Sequence, residues 1–441
     1  MIPTSDLLDQ SSMAVLLDHD PLVQDYRAFF CLLDWSVVEQ WETEQSSRGR
    51  PGHPISAYLK AFLIRIREGM LYTTQLRRFL LRHPLLVIEL GFHLVLDPSA
   101  PYGFDVEQTL PCEFWLREKL RHFDPTLLQA LLQASVRALQ DELPGLGETV
   151  AFDVKHIYAW VKENNPRAYV PERYDKTKRL VGDPDCRLGV KRSTNQQLPD
   201  GSTQEKKELL WGYGTGVAVC TIADYGTVVL ADYTQPFNEG DVTYFRPLYQ
   251  QAVVALNHFP THLTADAAFD AWYVYQAAAR HGGIAAVPLK QQSRTPFARL
   301  PDGVPRCPIG LPMHPTTQFN HTYGYRAQRF QCPLLFPEPT GATCTHDQFL
   351  KGKGCVKDVN WELGGIQRVT LDRQGPLFHA LYPQRTGCER VNARAKELGI
   401  ERPRVRNGRS VANLTTLIYV LVNVQVLQKA KSINAQLLQI H

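Results

Sequence analysis

The stretch Gly147–Val161, GETVAFDVKHIYAWV, decides how this chain is read. It mixes β-branched and aromatic residues over a length that suits a strand, and one acid, Asp153, follows the apolar run Val150–Phe152 directly. Acids are depleted from strand interiors unless they serve a site at a sheet edge, so the stretch predicts a strand ending near a functional aspartate. The texture before it is different. Tyr58–Leu81 and Thr126–Leu143 carry apolar residues at three- and four-residue spacing with polar and charged residues, arginines among them, on the remaining faces. GRPGHP at 49–54 and DPSAPYGF at 97–104 punctuate these runs. Residues 1–145 are therefore expected to form a helical N-terminal domain with a basic surface.

Beyond Val161 a polar, charged excursion occupies 162–208, followed by two strands in 211–236 that meet at Asp224, Tyr225 and Gly226, a hairpin turn. Thr243–Phe259 reads as a helix. His262–Asp270, HLTADAAFD, reads as a short strand ending in acids, the first of them Asp266. A helix closed by glycines (271–283) and a strand (284–290) complete the run. Three strands, a helix, a strand, a helix and a strand predict an α/β core over 146–293, a mixed sheet with flanking helices. Residues 294–372 break this pattern with Pro, Gly, Cys and Thr in short β-like pieces, which predicts a β-rich insertion. Helical texture returns at Tyr382, so 373–441 reads as the second part of the core with C-terminal helices.

The chain has 441 residues, 44% hydrophobic and 21% charged, which is globular composition and long enough for several structural units. A net charge of +4 identifies no partner by itself, but the charge is uneven. Eight Lys/Arg against Glu68 alone lie between Arg48 and His83, among them Arg48, Arg50, Arg77 and Arg78. A second basic stretch, His379–Arg409, contains Arg402, Arg404 and Arg406. Both could meet a phosphate backbone, and the alternative is an ordinary solvated face. The N-terminus lacks a basic leader and apolar core, which leads us to expect a cytoplasmic protein. Polar residues interrupt the apolar run Val411–Leu427, which is expected to be a buried helix, with no membrane partner. Nine cysteines without regular paired spacing read as reduced thiols or metal ligands. Four of them, Cys307, Cys332, Cys344 and Cys355, fall in the insertion as candidate ligands of a structural Zn²⁺, against the alternative of buried free thiols.

The strongest local signal is LYPQRTGCERVNARAKELG, residues 381–399. On one α-helix, Tyr382, Arg385, Glu389 and Lys396 would fall within about 60° of one another, an aromatic hydroxyl, two cations and a carboxylate on one face. Such a face is a poor core stripe and suits a DNA strand, the cations gripping phosphates while the acid ligates metal. An Arg385–Glu389 pair on a solvated face is the alternative. Asp153 and Asp266 add two strand-end carboxylates to this helix-borne one. Together they are the parts of a two-metal phosphoryl-transfer site, in which hard Mg²⁺ or Mn²⁺ takes oxygen ligands.

These residues resemble the DDE transposases of bacterial insertion sequences, specifically the branch with a tyrosine, arginine, glutamate, lysine signature at intervals of two, three and six residues, matched by Tyr382, Arg385, Glu389 and Lys396. Asp153 and Asp266, the latter in an A-D-x-x-F-D context, precede it in the right order. The resemblance implies an RNase H-like domain with Asp153 on its first strand, Asp266 after its fourth and Glu389 on a helix beyond the insertion. It implies two metal ions held by the three acids, hydrolysis at the ends of the mobile element, and attack of the freed 3′-hydroxyl on target DNA. It also implies double-stranded DNA as partner, a dimer when two ends are synapsed, and a bacterial, nucleoid-associated setting. In this branch a tryptophan of the insertion stacks on a flipped base; Trp361, in VNWELGG, is the candidate, with a core tryptophan as the alternative. Two departures stand out. Ala265, Ala267 and Phe269 surround the second aspartate where many relatives have Gly and Tyr, and the 162–208 excursion is long for a first hairpin. The competing functions are a transposase-derived DNA-binding protein without cleavage and a metal-dependent nuclease of the same fold.

Overall fold

The computed structural model describes residues 10–44, 52–197, 203–290 and 297–440. The chain folds as two compact units: Met1–Leu146, Asp153–His258 and Thr386–His441 form the first, and Gly147–Phe152 with Phe259–Arg385 the second. It is a mixed α/β protein.

The first unit opens with helices α1 (Gln10–His19), α2 (Pro21–Phe30), α3 (Ser36–Glu44), α4 (Ile55–Arg67), α5 (Thr73–Leu81), α6 (Pro84–Leu90), α7 (Val106–Thr109), α8 (Glu113–His122) and α9 (Pro125–Glu142). Local chemistry sets their starts. Asp20 accepts from the Leu22 and Val23 amides and Asp124 from the Thr126 amide, each followed by proline at the first helical position. On α9 the buried residues Leu128, Leu131, Leu132, Ser135, Val136 and Leu139 form one stripe.

Strand β1 (Thr149–Tyr158) extends five residues past Asp153. The sequence predicts an end near Asp153 because the apolar run stops there, yet Ile157 is fully buried and continues the strand. Strand β2 (Arg187–Gln197) is absent from the sequence reading and lies inside the polar excursion. It pairs antiparallel with β3 (Thr203–Ile222), which pairs antiparallel with β4 (Gly226–Pro236). Its polarity hid it: from Lys191 to Gln197 the strand carries no apolar residue. Helix α10 (Phe245–Leu256) and two C-terminal helices, α15 (Thr386–Glu397) and α16 (Gly408–Ile440), complete the unit.

Helix α16 is apolar and long enough to cross a membrane by composition alone, but 83% of that apolar window is buried in the protein. It packs on α9 and β4. The β3–β4 ladder slips by one residue at Leu230, and there Asn423 of α16 accepts from the Val229 amide at 2.8 Å and donates to the Val229 carbonyl at 2.8 Å and to Ser135 at 2.9 Å. A fully buried asparagine is thus satisfied by the bulge it stabilises.

In the second unit, residues Thr149–Phe152 of β1 pair in parallel with β5 (His262–Ala265), which pairs in parallel with β6 (Ala285–Ala286). Helix α11 (Trp272–Ala279) packs on α13 (Leu363–Thr370) at Gly364, where a Cβ would lie 2.2 Å from the Trp272 carbonyl oxygen. The insertion holds an antiparallel sheet of β7 (His314–Asn320), β8 (Arg326–Gln331) and β9 (Val356–Asn360), together with the short α12 (Asp347–Leu350). Helix α14 (Pro376–Leu381) follows.

Candidate active site

Each acid singled out in the sequence has a distinct setting. In the first unit Asp153 is half-buried on β1, and its Oδ2 accepts a hydrogen bond from Asn392 Nδ2 at 3.0 Å. Asn392 lies three residues beyond Glu389 on α15, so the two share a helix face, and the helix that carries the third acid is bonded to the first. The Asn392 Oδ1 is buried without a hydrogen-bond partner among the described residues, an oxygen left free beside a carboxylate. Glu389 is exposed in the first turn of α15, where the helix dipole favours a negative charge.

The start of α15 is pressed onto β3. A Cβ at Gly387 would lie 2.3 Å from Thr221 Oγ1, so a larger residue would have to displace Thr221, and Arg390 donates to Thr221 at 3.2 Å. Two residues along β1 from Asp153, Lys155 pairs with Glu401 at 3.1 Å; Lys396 reaches the same carboxylate at 3.4 Å. Burial opposes the ionised form of Glu401, but these lysines win and hold its pKa below the usual value. His156 lies tilted against Phe237, with ring centroids 4.3 Å apart, and burial first and Lys191 and Lys155 next push its pKa down to about 4, so it is a neutral imidazole at physiological pH.

In the second unit Asp266 directly follows β5 and caps the short 3-10 turn Ala267–Phe269, its Oδ1 accepting from the Ala268 amide at 2.9 Å. The ladder between Thr149–Phe152 of β1 and β5 ends at the pair Phe152–Ala265, and Asp266 follows Ala265 in the chain. Asp270, the other acid of the motif, is consumed structurally. Its side chain is 0% exposed, receives both Arg368 nitrogens at 2.7 and 2.5 Å, and also accepts from the Lys290 amide and the Tyr275 hydroxyl.

The signature face is only partly helical. Tyr382–Arg385 form a 3-10 turn and α15 starts at Thr386, so the four residues do not lie on one α-helix. Pro383 in the second position opposes a continuous ladder through this point. Tyr382 stacks on Phe378, with centroids 5.4 Å apart, and packs against the core of Ala286 and Leu381, while the Arg385 guanidinium lies 6.0 Å over the Tyr382 ring.

The first basic stretch is largely spent inside its own domain. Lys60 lies over Trp35, Arg65 is buried and bonded to the Met70 and Leu71 carbonyls, Arg67 lies over Tyr26, and Arg77 pairs with Glu107. Burial lowers the Arg65 pKa to about 10. Arg78 is exposed; Arg48 and Arg50 lie outside the described residues. Arg402, Arg404 and Arg406 are all exposed and line cavities with Trp160.

Trp361 sits edge-on to Phe330 at 5.1 Å and packs against the insertion core, the setting of a structural tryptophan. That core buries Cys307, Cys332 and Cys355 with Cys344 against it. Burial, and then the neighbouring Cys332 and Cys307, push the Cys355 thiol up to about 11. Among the described residues no three His, Cys, Asp or Glu side chains gather as a metal cage.

A family model described as a transposase DDE domain matches residues 190–424, more than half of the chain. The chain belongs to the transposase DDE domain family. Asp266 and Glu389 lie inside the matched span of this transposase, and Asp153 lies before it. Membership makes it a DNA transposase by family, and such enzymes generally work with divalent metal ions. A solved structure of piggyBac transposase in a synaptic complex with hairpin DNA is 10% identical, covering 91% of this chain and 74% of that one with a TM-score of 0.34. No curated protein matches the transposase.

Proposed function

We propose that this transposase cuts DNA at the ends of its own bacterial insertion sequence and joins those ends to target DNA. Asp153, Asp266 and Glu389 serve as the acidic centre of an RNase H-like core. The observation that carries this reading is the Asn392–Asp153 hydrogen bond, which anchors the helix of the third acid to the strand of the first. The position of Asp266 directly after β5, at the end of a strand paired in parallel, supports its place.

The donor set suits hard divalent ions. Carboxylate oxygens and one orphaned amide oxygen are chemistry for Mg²⁺ or Mn²⁺, and magnesium sites are usually built from few carboxylates completed by water and substrate phosphate rather than from a closed protein cage. Bound there, a pair of ions would polarise the phosphodiester and stabilise the leaving oxygen. The protein's own part is positional. Asn392 fixes the Asp153 rotamer, Gly387 lets α15 approach β3, and Lys396 and Arg385 supply cations for the DNA backbone. Two ends must be held at once, so the working form is a dimer on double-stranded DNA.

The test is a strand-transfer assay with purified protein, DNA carrying the element's ends and a circular target, in Mg²⁺. Joined products that disappear in Glu389→Gln support the reading. Nicking without joining would make the protein a nuclease of this fold, and duplex binding with neither would make it a transposase-derived DNA-binding protein.

A further inference from the structure

Trp160, just past the end of β1, forms the common wall of two adjoining cavities in the first unit, of about 410 and 430 Å³. The Arg406 guanidinium stands 4.9 Å and that of Arg404 5.8 Å from the indole centroid, and both arginines line both cavities. The first cavity adds two more rings, Tyr72 (edge-on to Trp160 at 6.1 Å) and Phe114, which is 54% exposed. Arg117 and Arg121 of α8 also line it. In the second cavity Arg402 lies 4.4 Å over the Tyr158 ring.

The charge balance favours an anion. Two acids, Glu113 and Glu118, line the first cavity against four arginines, and Glu118 is engaged by Arg121 at 3.8 Å and His122 at 3.6 Å. Among the described residues, Arg404, Arg406 and Arg117 have no carboxylate within salt-bridge distance. Three rings with solvent access beside unpaired guanidinium groups are wasteful as a core and incomplete as a protein-docking face. They are the composition with which proteins hold unstacked nucleotides, bases on rings and phosphates on arginine. Duplex DNA keeps its bases stacked inside and has no use for rings in a cavity.

We propose that the Trp160 cavities bind a single-stranded segment of DNA, one base stacking among Trp160, Tyr72 and Phe114 while Arg404 and Arg406 hold the adjoining phosphates. This site lies apart from Asp153 and Glu389 in residue content, and it rests on the reading of the chain as a protein that acts on DNA. It gives the second basic stretch a specific role: its arginines serve an unpaired strand next to the duplex.

The probe is a fluorescent oligothymidylate, titrated in EDTA so that no cleavage occurs, with a blunt duplex of equal length as control. Trp160→Ala should weaken oligothymidylate binding by about tenfold, the loss of one stacked base, with duplex affinity unchanged and Trp160→Phe close to wild type. Arg404→Ala and Arg406→Ala should each flatten the salt dependence of single-strand binding by about 0.7 in log–log slope. Equal oligothymidylate affinity in wild type and Trp160→Ala, or equal losses on duplex and single strand, would overturn the inference. Because the measurement excludes metal, cleavage that persists in the element-end assay alongside such a result leaves the catalytic reading intact. Single-strand discrimination in a protein that never cleaves supports the inference and removes only that reading.

Discussion

Asn392 Nδ2 donates to Asp153 Oδ2 at 3.0 Å, across 239 residues of chain. One carboxylate oxygen is thereby oriented, and the asparagine is one helical turn from Glu389. Partners of this kind typically change metal affinity or activity by about 10- to 100-fold when removed. Asn392→Ala is expected to lower Mg²⁺-dependent cleavage within that range and to raise the Mg²⁺ concentration needed for half-maximal rate, with circular dichroism unchanged. A rate and metal requirement equal to wild type would remove Asn392 from the site.

Asp266 and Asp270 lie four residues apart and should fail in opposite ways. Asp270→Ala strands the partly buried Arg368, a loss of about 3–5 kcal/mol, read as a lower urea midpoint. Asp266→Ala removes only a cap on a short turn, about 1 kcal/mol, yet is expected to abolish cleavage. A stable, inactive Asp270→Ala protein would reverse the assignment.

Asp232 gives a pH test. It is wholly buried between Gln129 and Thr416, and burial raises its pKa from 3.8 to about 6 despite their hydrogen bonds. The fold therefore prefers the protonated acid. Its contribution is complete below the unfolded value of 3.8 and is lost as pH rises through about 6. Two pKa units correspond to about 3 kcal/mol, so Asp232→Asn should gain stability over wild type between about pH 4 and pH 7 by an amount approaching that figure. Urea melts across this range check it, and a constant difference between the two proteins would contradict it.

Cys355 and Cys31 bracket thiol reactivity. Cys31 is exposed, whereas Cys355 is buried and pushed up to about 11, leaving on the order of one thiolate in a thousand at about pH 8. Iodoacetamide mapped by mass spectrometry should label Cys31 first and Cys355 only after denaturation. Prompt labelling of Cys355 in the native protein would show that the insertion core is open.

Much of the fold is legible in residue periodicity, because helices with one apolar face and strands with β-branched runs announce their burial. Strand β2 was hidden because its polar residues suit the wet face of an antiparallel pair. The break at Tyr382–Arg385 was hidden because angular spacing assumes a helix that the 3-10 turn does not supply. Asn392 was missed although its offset of three from Glu389 places it on the same face; a neutral amide carries no signal until its partner is known. The basic patch of α4 and α5 misled for a related reason. Guanidinium groups that stack on rings or bond to carbonyls look, in a sequence, the same as ones that face solvent.

The central claim is that three carboxylates cut DNA with divalent metal, and one assay reaches it most directly. Wild-type protein and the variants Asp153→Ala, Asp266→Ala and Glu389→Ala are incubated with DNA carrying the element's ends in Mg²⁺, and strand breaks are mapped on a sequencing gel. The expected result is cleavage at the element boundary in wild type alone, with all three variants still binding the DNA. Boundary cleavage that persists in Asp153→Ala or Glu389→Ala would contradict it.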